Sequence, residues 1–233
     1  MIPTKALLIP VKQLSNAKQR LRAHFSSEDR IALADALWQD FFEVVRATRG
    51  VDQIVVVSAE PRVLKRAKKL GWESLQEHQQ KSESDSVDFA SRWCQERGVA
   101  ALLRMPVDLP LVEPADIESL FESLPKSPAA VLVPSRDGDG TNALLRTPPA
   151  LFSSHFGPGS FALHVAEAQR CSAGVHVIRN QRIEIDVDGL EDLEFLSTCD
   201  LRPNATRDWL LTHGFESGKY INGKDAGIRA ASS

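Results

Sequence analysis

The sequence predicts an α/β protein built on a mostly parallel, mixed sheet flanked by helices, and three observations carry that reading. Apolar runs of strand length recur at Lys5–Val11, Ile54–Val57 and Ala101–Leu103, each too short for a buried helix. Between them lie segments with helical apolar spacing, punctuated at their ends by glycine and proline. Strand and helix in alternation imply right-handed crossovers, which lay successive strands parallel. A chain of 233 residues, 42% hydrophobic and 25% charged, is long enough for one sizeable core.

The first strand, Lys5–Val11, runs into a polar loop carrying Lys12 and Lys18. Two cations just after a buried strand can meet phosphate charge; two solvated lysines are the competing reading. Ser26-Ser27-Glu28-Asp29 opens a helix with acidic residues in its first turn, where they complement the helix dipole. Ile31, Ala34, Leu37, Trp38, Phe41, Phe42 and Val45 form its core-facing stripe. After the second strand, Ile54–Val57, Pro61 starts a helix that reaches Leu70 and stops at Gly71. The polar stretch Gln79–Ser86 precedes a third helix, Val87–Arg97, closed by Gly98. The strand at Ala101–Leu103 follows, and Asp108 stands just past its carboxyl end between Pro106 and Pro110. Ligands bind at that edge of an open α/β sheet, although an aspartate there also serves as a turn residue or cap. Pro114 then opens a helix ending near Leu124-Pro125.

Ala130–Val133 and Ala143–Leu145 read as a hairpin around Arg136–Asn142. The two Asp-Gly pairs supply the turn, so Thr141 and Asn142 need another explanation. Phe156-Gly157-Pro158-Gly159-Ser160 leads into a helix over Phe161–Gln169. Glycines at a helix start form a nest of N–H groups suited to phosphate or carboxylate, with Ser160 as a plain N-cap the alternative. Val175–Ile178 and Ile183–Val187 read as the last strands, the second carrying Asp186 and running into Asp188, which also reads as the cap of a helix over Glu191–Leu196. The main domain is placed at residues 1–200. Residues 201–233 read as a C-terminal extension, partly loose, with a short helix at Arg207–Leu211 and a loose tail over Gly218–Ser233.

A net charge of −3 and the lack of a basic tract argue against nucleic acid and anionic membrane surfaces as partners. No apolar run approaches membrane-spanning length. Cys94, Cys171 and Cys199 form no C-x-x-C, and the six histidines show no ligand spacing, which argues against zinc and against a disulfide framework. Met1-Ile2-Pro3 leads directly into a strand, unlike a signal peptide. The expectation is a cytoplasmic protein with a small-molecule partner, and a homo-oligomer is compatible with it. Asp108, Asp186 and Asp188 are hard oxygen donors suited to Mg²⁺. Together with the lysines and the Gly/Ser turn, they fit an enzyme that handles a nucleoside triphosphate.

Five segments carry a family resemblance: LIPVKQLSNAKQRL at Leu8–Leu21, DLP at Asp108–Pro110, GTNALL at Gly140–Leu145, FGPGSF at Phe156–Phe161 and DVDGLEDL at Asp186–Leu193. They resemble the CofC/FbiD guanylyltransferases of deazaflavin coenzyme biosynthesis, over residues 5–196. The resemblance implies a single Rossmann-related, GT-A-like nucleotidyltransferase domain. It implies transfer of GMP from GTP to the phosphate of a small phosphorylated carboxylate (phosphoenolpyruvate, 3-phosphoglycerate or 2-phospho-L-lactate), with release of pyrophosphate. It assigns catalytic roles to Lys12, Lys18 and Asp108, metal ligation by Mg²⁺ to Asp108, Asp186 and Asp188, and acceptor binding to Thr141, Gly157 and Ser160. No histidine or cysteine is placed for acid–base work, in keeping with an acceptor phosphate already largely dianionic above a second pKa near ~6. The chain departs from the family pattern at Val107, where a small residue is usual, and at Ser82–Ala90, where related enzymes read the base. Alternatives are a nucleotidyltransferase for a sugar phosphate or molybdopterin-type acceptor, a metal-dependent GT-A glycosyltransferase, and a non-catalytic nucleotide-binding module.

Overall fold

The computed structural model describes the chain except residues 1–3, 78, 80, 125, 217–218 and 221–233. Strands β1 (Lys5–Val11), β2 (Gln53–Ser58), β3 (Glu73–Gln76), β4 (Ala101–Arg104), β5 (Ala129–Pro134), β6 (Thr141–Thr147) and β7 (Gly174–Val177) form one sheet in the order β3-β2-β1-β4-β6-β5-β7. Only β6 runs antiparallel to its neighbours, β4 and β5. The helices are α1 (Ser27–Ala47), α2 (Pro61–Lys69), α3 (Glu83–Glu96), α4 (Pro114–Glu122), α5 (Ser160–Arg170), α6 (Gln181–Glu184), α7 (Leu190–Ser197) and α8 (Ala205–Thr212).

Both faces of the sheet are covered, which is why its central strands read as unbroken apolar runs. Leu7, Ile9, Val56 and Leu103 face α1, α2 and α4. Ala6, Leu8, Val55 and Leu102 face Val87, Ala90 and Cys94 of α3. The core-facing stripe expected on α1 is in place, with Leu37, Phe41 and Phe42 all buried. Each such side chain contributes about 1.5–3 kcal/mol. Its start is fixed by a reciprocal cap: Ser26 Oγ accepts from Asp29 N at 3.1 Å and Asp29 Oδ2 accepts from Ser26 N at 3.3 Å.

The connectivity sets the place of the site. From β1 the chain moves to β2 and β3 on one side, then returns to add β4 on the other. Strand order therefore reverses between β1 and β4, and the loops beyond their carboxyl ends diverge to leave a crevice. Val11–Lys12 and Arg104–Asp108 lie there.

The elements differ from expectation in three places, the first being α3, which starts at Glu83 with Ser82 as its cap, inside the stretch read as polar and preceding the helix. The short edge strand β3 has no apolar run and was not anticipated. Ile183–Val187 is not a strand: Gln181–Glu184 form the helical turn α6, and residues 185–188 follow without regular structure. The Asn180 side chain accepts from Arg182 N at 3.0 Å and Ile183 N at 3.3 Å, and this cap outweighs the β-propensity of isoleucine and valine.

The expected C-terminal helix is α8, which packs on α1. Asp40 of α1 accepts from Ala205 N at 3.1 Å and Thr206 N at 2.8 Å, and Trp209 Nε1 donates to Asp29 O at 3.1 Å. Phe215 of β8 (Phe215–Glu216) is buried beside Trp209, and β8 pairs with β9 (Lys219–Tyr220). Apart from β9, the tail expected over Gly218–Ser233 lies outside the described residues. Among the described residues no helix is long and apolar enough to cross a membrane.

Candidate active site

A cleft of about 290 Å³ opens at the β1/β4 reversal, with Lys12, Lys18, Arg20, Val107, Asp108 and Asp188 on its walls. Lys18 adopts the left-handed conformation, φ 52 and ψ 43, at a cost of roughly 1–2 kcal/mol for a residue with a Cβ. That backbone turn sends the side chain inward. Lys18 Nζ donates to Asp108 Oδ2 at 2.7 Å and to Val187 O, and only 8% of its side chain is exposed. Val187 N in turn donates to Asp108 O at 3.1 Å. The two aspartate-bearing segments, far apart in sequence, are thus joined by backbone and by one ammonium.

The charges interact strongly. Burial opposes ionisation of Asp108, but Lys18 and then Arg104 hold its carboxyl below the usual carboxylate range. Burial followed by the charge on Asp108 pushes Asp186 up to about 6, and the same two causes raise Asp188. Burial likewise opposes the charge on Lys18, yet Asp108 and Asp188 raise its pKa. Asp186 and Asp188 stay raised even with Lys18 and Arg20 close by, and hard oxygen donors of that kind suit a divalent cation. Among the described residues no three metal-binding side chains converge into a ready-made cage. Lys18 supplies the counter-charge in their midst.

The expected cap at Asp188 is not found. Asp192 Oδ2 accepts from Asp188 N at 2.9 Å and Gly189 N at 2.8 Å, so Asp192 caps α7. The Asp188 carboxylate turns to Arg20 instead, accepting from Arg20 Nη1 at 3.0 Å.

Behind the cleft, Thr141 opens β6 and Ser160 opens α5, and Ser160 Oγ donates to Thr141 Oγ1 at 3.2 Å. Gly159, not Ser160, is the N-cap of α5. The glycine nest is already filled: Gly159 N donates to Asp139 Oδ2 at 2.8 Å and Phe161 N to Asp139 O at 3.0 Å. Gly157, at φ 130, stands in a backbone region that side chains rarely enter, and its carbonyl accepts from Ser160 N at 3.2 Å. Asn142 links this group to the aspartates, donating to Asp186 Oδ1 at 3.1 Å and to Ile183 O at 2.9 Å. Orientation of Asp186 is the explanation that the hairpin turn alone did not give Asn142.

Residues outside the expected set also belong here. Arg104 lies at the carboxyl end of β4, almost fully buried, its guanidinium 3.9 Å from the Phe156 ring centroid. It donates to Thr141 O at 3.1 Å and pairs with Glu83, and burial pulls its pKa down to about 9. Glu83, in the divergent Ser82–Ala90 segment, also meets Lys12 at 3.1 Å. An arginine ending an apolar run was the available signal for Arg104. His164 on α5 is fully buried with Nδ1 3.0 Å from Thr141 Oγ1. Nothing in its spacing marked it.

The family model described as guanylyl transferase CofC like matches residues 5–216. A phosphoenolpyruvate guanylyltransferase of Rubrobacter xylanophilus is 37% identical over 80% of this chain and 90% of its own length. A 2-phospho-L-lactate guanylyltransferase of Methanothermobacter thermautotrophicus is 32% identical over 80% of this chain and 81% of its own. Among solved structures, one from Desulfovibrio desulfuricans, assigned to the nucleotide-diphospho-sugar transferases, aligns with a TM-score of 0.74 over 91% of this chain and 96% of that one, at 16% identity. A cytidylyltransferase of Leptospira borgpetersenii aligns with a TM-score of 0.57 over 94% and 99%, at 14% identity. At such identities these two establish the fold, which is the nucleotidyltransferase type.

Proposed function

The chain belongs to the CofC-like guanylyl transferase family, and from that premise we propose that it transfers GMP from GTP to the phosphate of a small phosphorylated carboxylate, releasing pyrophosphate. Phosphoenolpyruvate is the acceptor we favour, with 2-phospho-L-lactate and 3-phosphoglycerate as the alternatives, and deazaflavin coenzyme biosynthesis is the pathway this product would serve. The observation that carries the reading is the joining of Asp108 to the 186–188 segment through Val187 and Lys18, at the crevice where this fold binds ligands.

The cleft beside Lys12, Lys18 and Arg20 suits the triphosphate, whose charge those side chains offset. Asp108, Asp186 and Asp188 would hold Mg²⁺, which when bound supplies positive charge to phosphate oxygens that gain negative charge during displacement. Thr141, Gly157 and Ser160 would hold the acceptor, and Asn142 keeps Asp186 in register with them. The acceptor phosphate needs no base to attack, because its second pKa near ~6 leaves it largely dianionic at neutral pH. Rate then comes from alignment of two anions and from preorganised charge. The neutral, enclosed His164 agrees with that division of labour.

The test is pyrophosphate release by the purified protein with Mg²⁺ and each of GTP, ATP, CTP and UTP, crossed against the three phosphorylated acids. Release with GTP and one acid is the expected outcome. Release of a nucleoside diphosphate from a nucleotide sugar, with no pyrophosphate anywhere in the grid, would move the assignment to glycosyl transfer.

A further inference from the structure

The acceptor side contains a hydrogen-bond chain whose directions can be worked out donor by donor. His164 Nε2 is 2.8 Å from His155 N. A backbone N–H can only donate, so Nε2 is the unprotonated nitrogen and the neutral ring carries its proton on Nδ1. Nδ1–H therefore donates to Thr141 Oγ1 at 3.0 Å, and the Thr141 and Ser160 hydroxyls share one hydrogen bond at 3.2 Å. A hydroxyl has two lone pairs and one hydrogen. With the ring donating to Thr141, one of the two hydroxyl hydrogens lies between the Thr141 and Ser160 oxygens, and the other is left for a third partner.

We propose that His164 is a positioning residue that, by donating to Thr141, leaves the free hydrogen of the Thr141–Ser160 hydroxyl pair to point at an anionic oxygen of the acceptor. The proposal rests on the reading of Thr141 as an acceptor-binding residue. It deepens that reading by stating which partner the hydroxyl pair favours: a carboxylate or phosphate oxygen that accepts its one unspent hydrogen. The ring is held for this task. It is fully buried, packs edge-on to Phe156 at 4.9 Å between centroids, and burial, followed by the charges of Arg146 and Arg104, brings its pKa down to about 3. The same ring anchors the loop that contains Gly157, because its Nε2 holds the His155 amide at the start of that loop. One imidazole thus orients the hydroxyl and fixes the backbone of the proposed acceptor pocket.

Two measurements on the full chain test this. Nitrogen-15 NMR of the imidazole rings should show His164 as the Nδ1–H tautomer, unchanged across neutral pH. In kinetics, His164→Phe keeps the ring volume but removes the donor, and should raise the acceptor KM about tenfold while the GTP KM stays within about twofold. His164→Asn, which can return an N–H toward Thr141, should restore most of the loss. Thr141→Val should raise the acceptor KM as well, and in that background His164→Phe should cost clearly less than it does alone, the remainder reporting the loop that the ring anchors. An Nε2–H tautomer, an equal rise in both KM values, or additive singles would overturn the proposal in an active enzyme. A wild type silent with every nucleotide and acid would instead defeat the functional reading on which it rests.

Discussion

Around the cleft, Lys18, Arg20 and three aspartates hold one another through charge, whereas behind it Thr141, Ser160 and His164 carry no charge and hold one another by neutral hydrogen bonds. In the first group burial and mutual repulsion raise Asp186 and Asp188, a strain that a bound cation would relieve. The second group is complete except for one hydroxyl hydrogen. The charged region is therefore suited to binding that reorganises it, and the neutral region to holding a small molecule in one pose.

The largest effect that would sharpen this contrast is expected at Asp108. Asp108→Asn keeps an oxygen for Lys18 and removes the charge, so the fold should persist, with an unchanged far-ultraviolet circular dichroism spectrum. Turnover should fall by about 10³-fold, the scale seen when one charge-stabilising group is lost from a preorganised site. Near-normal turnover would break the comparison, because the charged region would then not be where transfer occurs.

In the neutral region the clearest test is pH. An unfolded histidine takes up a proton near 6.5, whereas folded His164 waits until about 3. Between those values the unfolded state binds more protons, so stability is present above pH 6.5 and is lost as pH falls. The loss is at most about 1.4 kcal/mol per pH unit. Urea unfolding at pH 7 and pH 5 should show a smaller acid loss for His164→Asn than for the wild type. Equal losses would mean that the ring is not held neutral by its surroundings.

The two regions also differ in how far the sequence disclosed them. Charged residues next to apolar strands stand out, so Lys12, Lys18 and Asp108 were legible once β1 and β4 were recognised from their continuous apolar runs. The fold class followed from those same runs, since strands covered on both faces contain little else. Asp186 and Asp188 are conspicuous in the sequence for a partly wrong reason. The segment before them looks like a strand, but an Asn180 side-chain cap turns Gln181–Glu184 into α6, and the carboxylates arrive on an extended segment instead. β3 was invisible because an edge strand is held by backbone bonds to one neighbour and needs no apolar pattern. His164 was invisible for a related reason: on α5 it occupies a core-facing position, and sequence alone does not distinguish a histidine satisfied by packing from one aimed at a hydroxyl.

Asp139 marks the border between the regions, because it is a charged residue serving the neutral one. Its carboxylate holds Gly159 N at 2.8 Å, at the N-terminal end of α5, where negative charge is favoured. Asp139→Ala leaves that N–H open and loosens the turn that carries Gly157. The acceptor KM should rise about fivefold, with the GTP KM unchanged, for the loss of one charge-assisted bond. A lower acceptor KM would show that the nest receives the acceptor and that Asp139 competes with it.

The smallest effect is expected at Arg20, and it tests how far the charged region extends. The Arg20–Asp188 pair spans 3.0 Å, but its side chains are 73% and 46% exposed, so water screens it and its loss should cost less than about 0.5 kcal/mol of stability. Lys18, at 8% exposed, is screened far less by solvent. Arg20→Ala should therefore raise the GTP KM only about twofold at low salt and leave kcat alone. The difference should vanish at high ionic strength, where the screening length shrinks to ~3 Å at 1 M. A salt-independent fall in kcat would mean that Arg20 reaches the transferring phosphate once the nucleotide is in place. The charged region would then close on its substrate from the solvent side, leaving the neutral region as the only part of the site fully built beforehand.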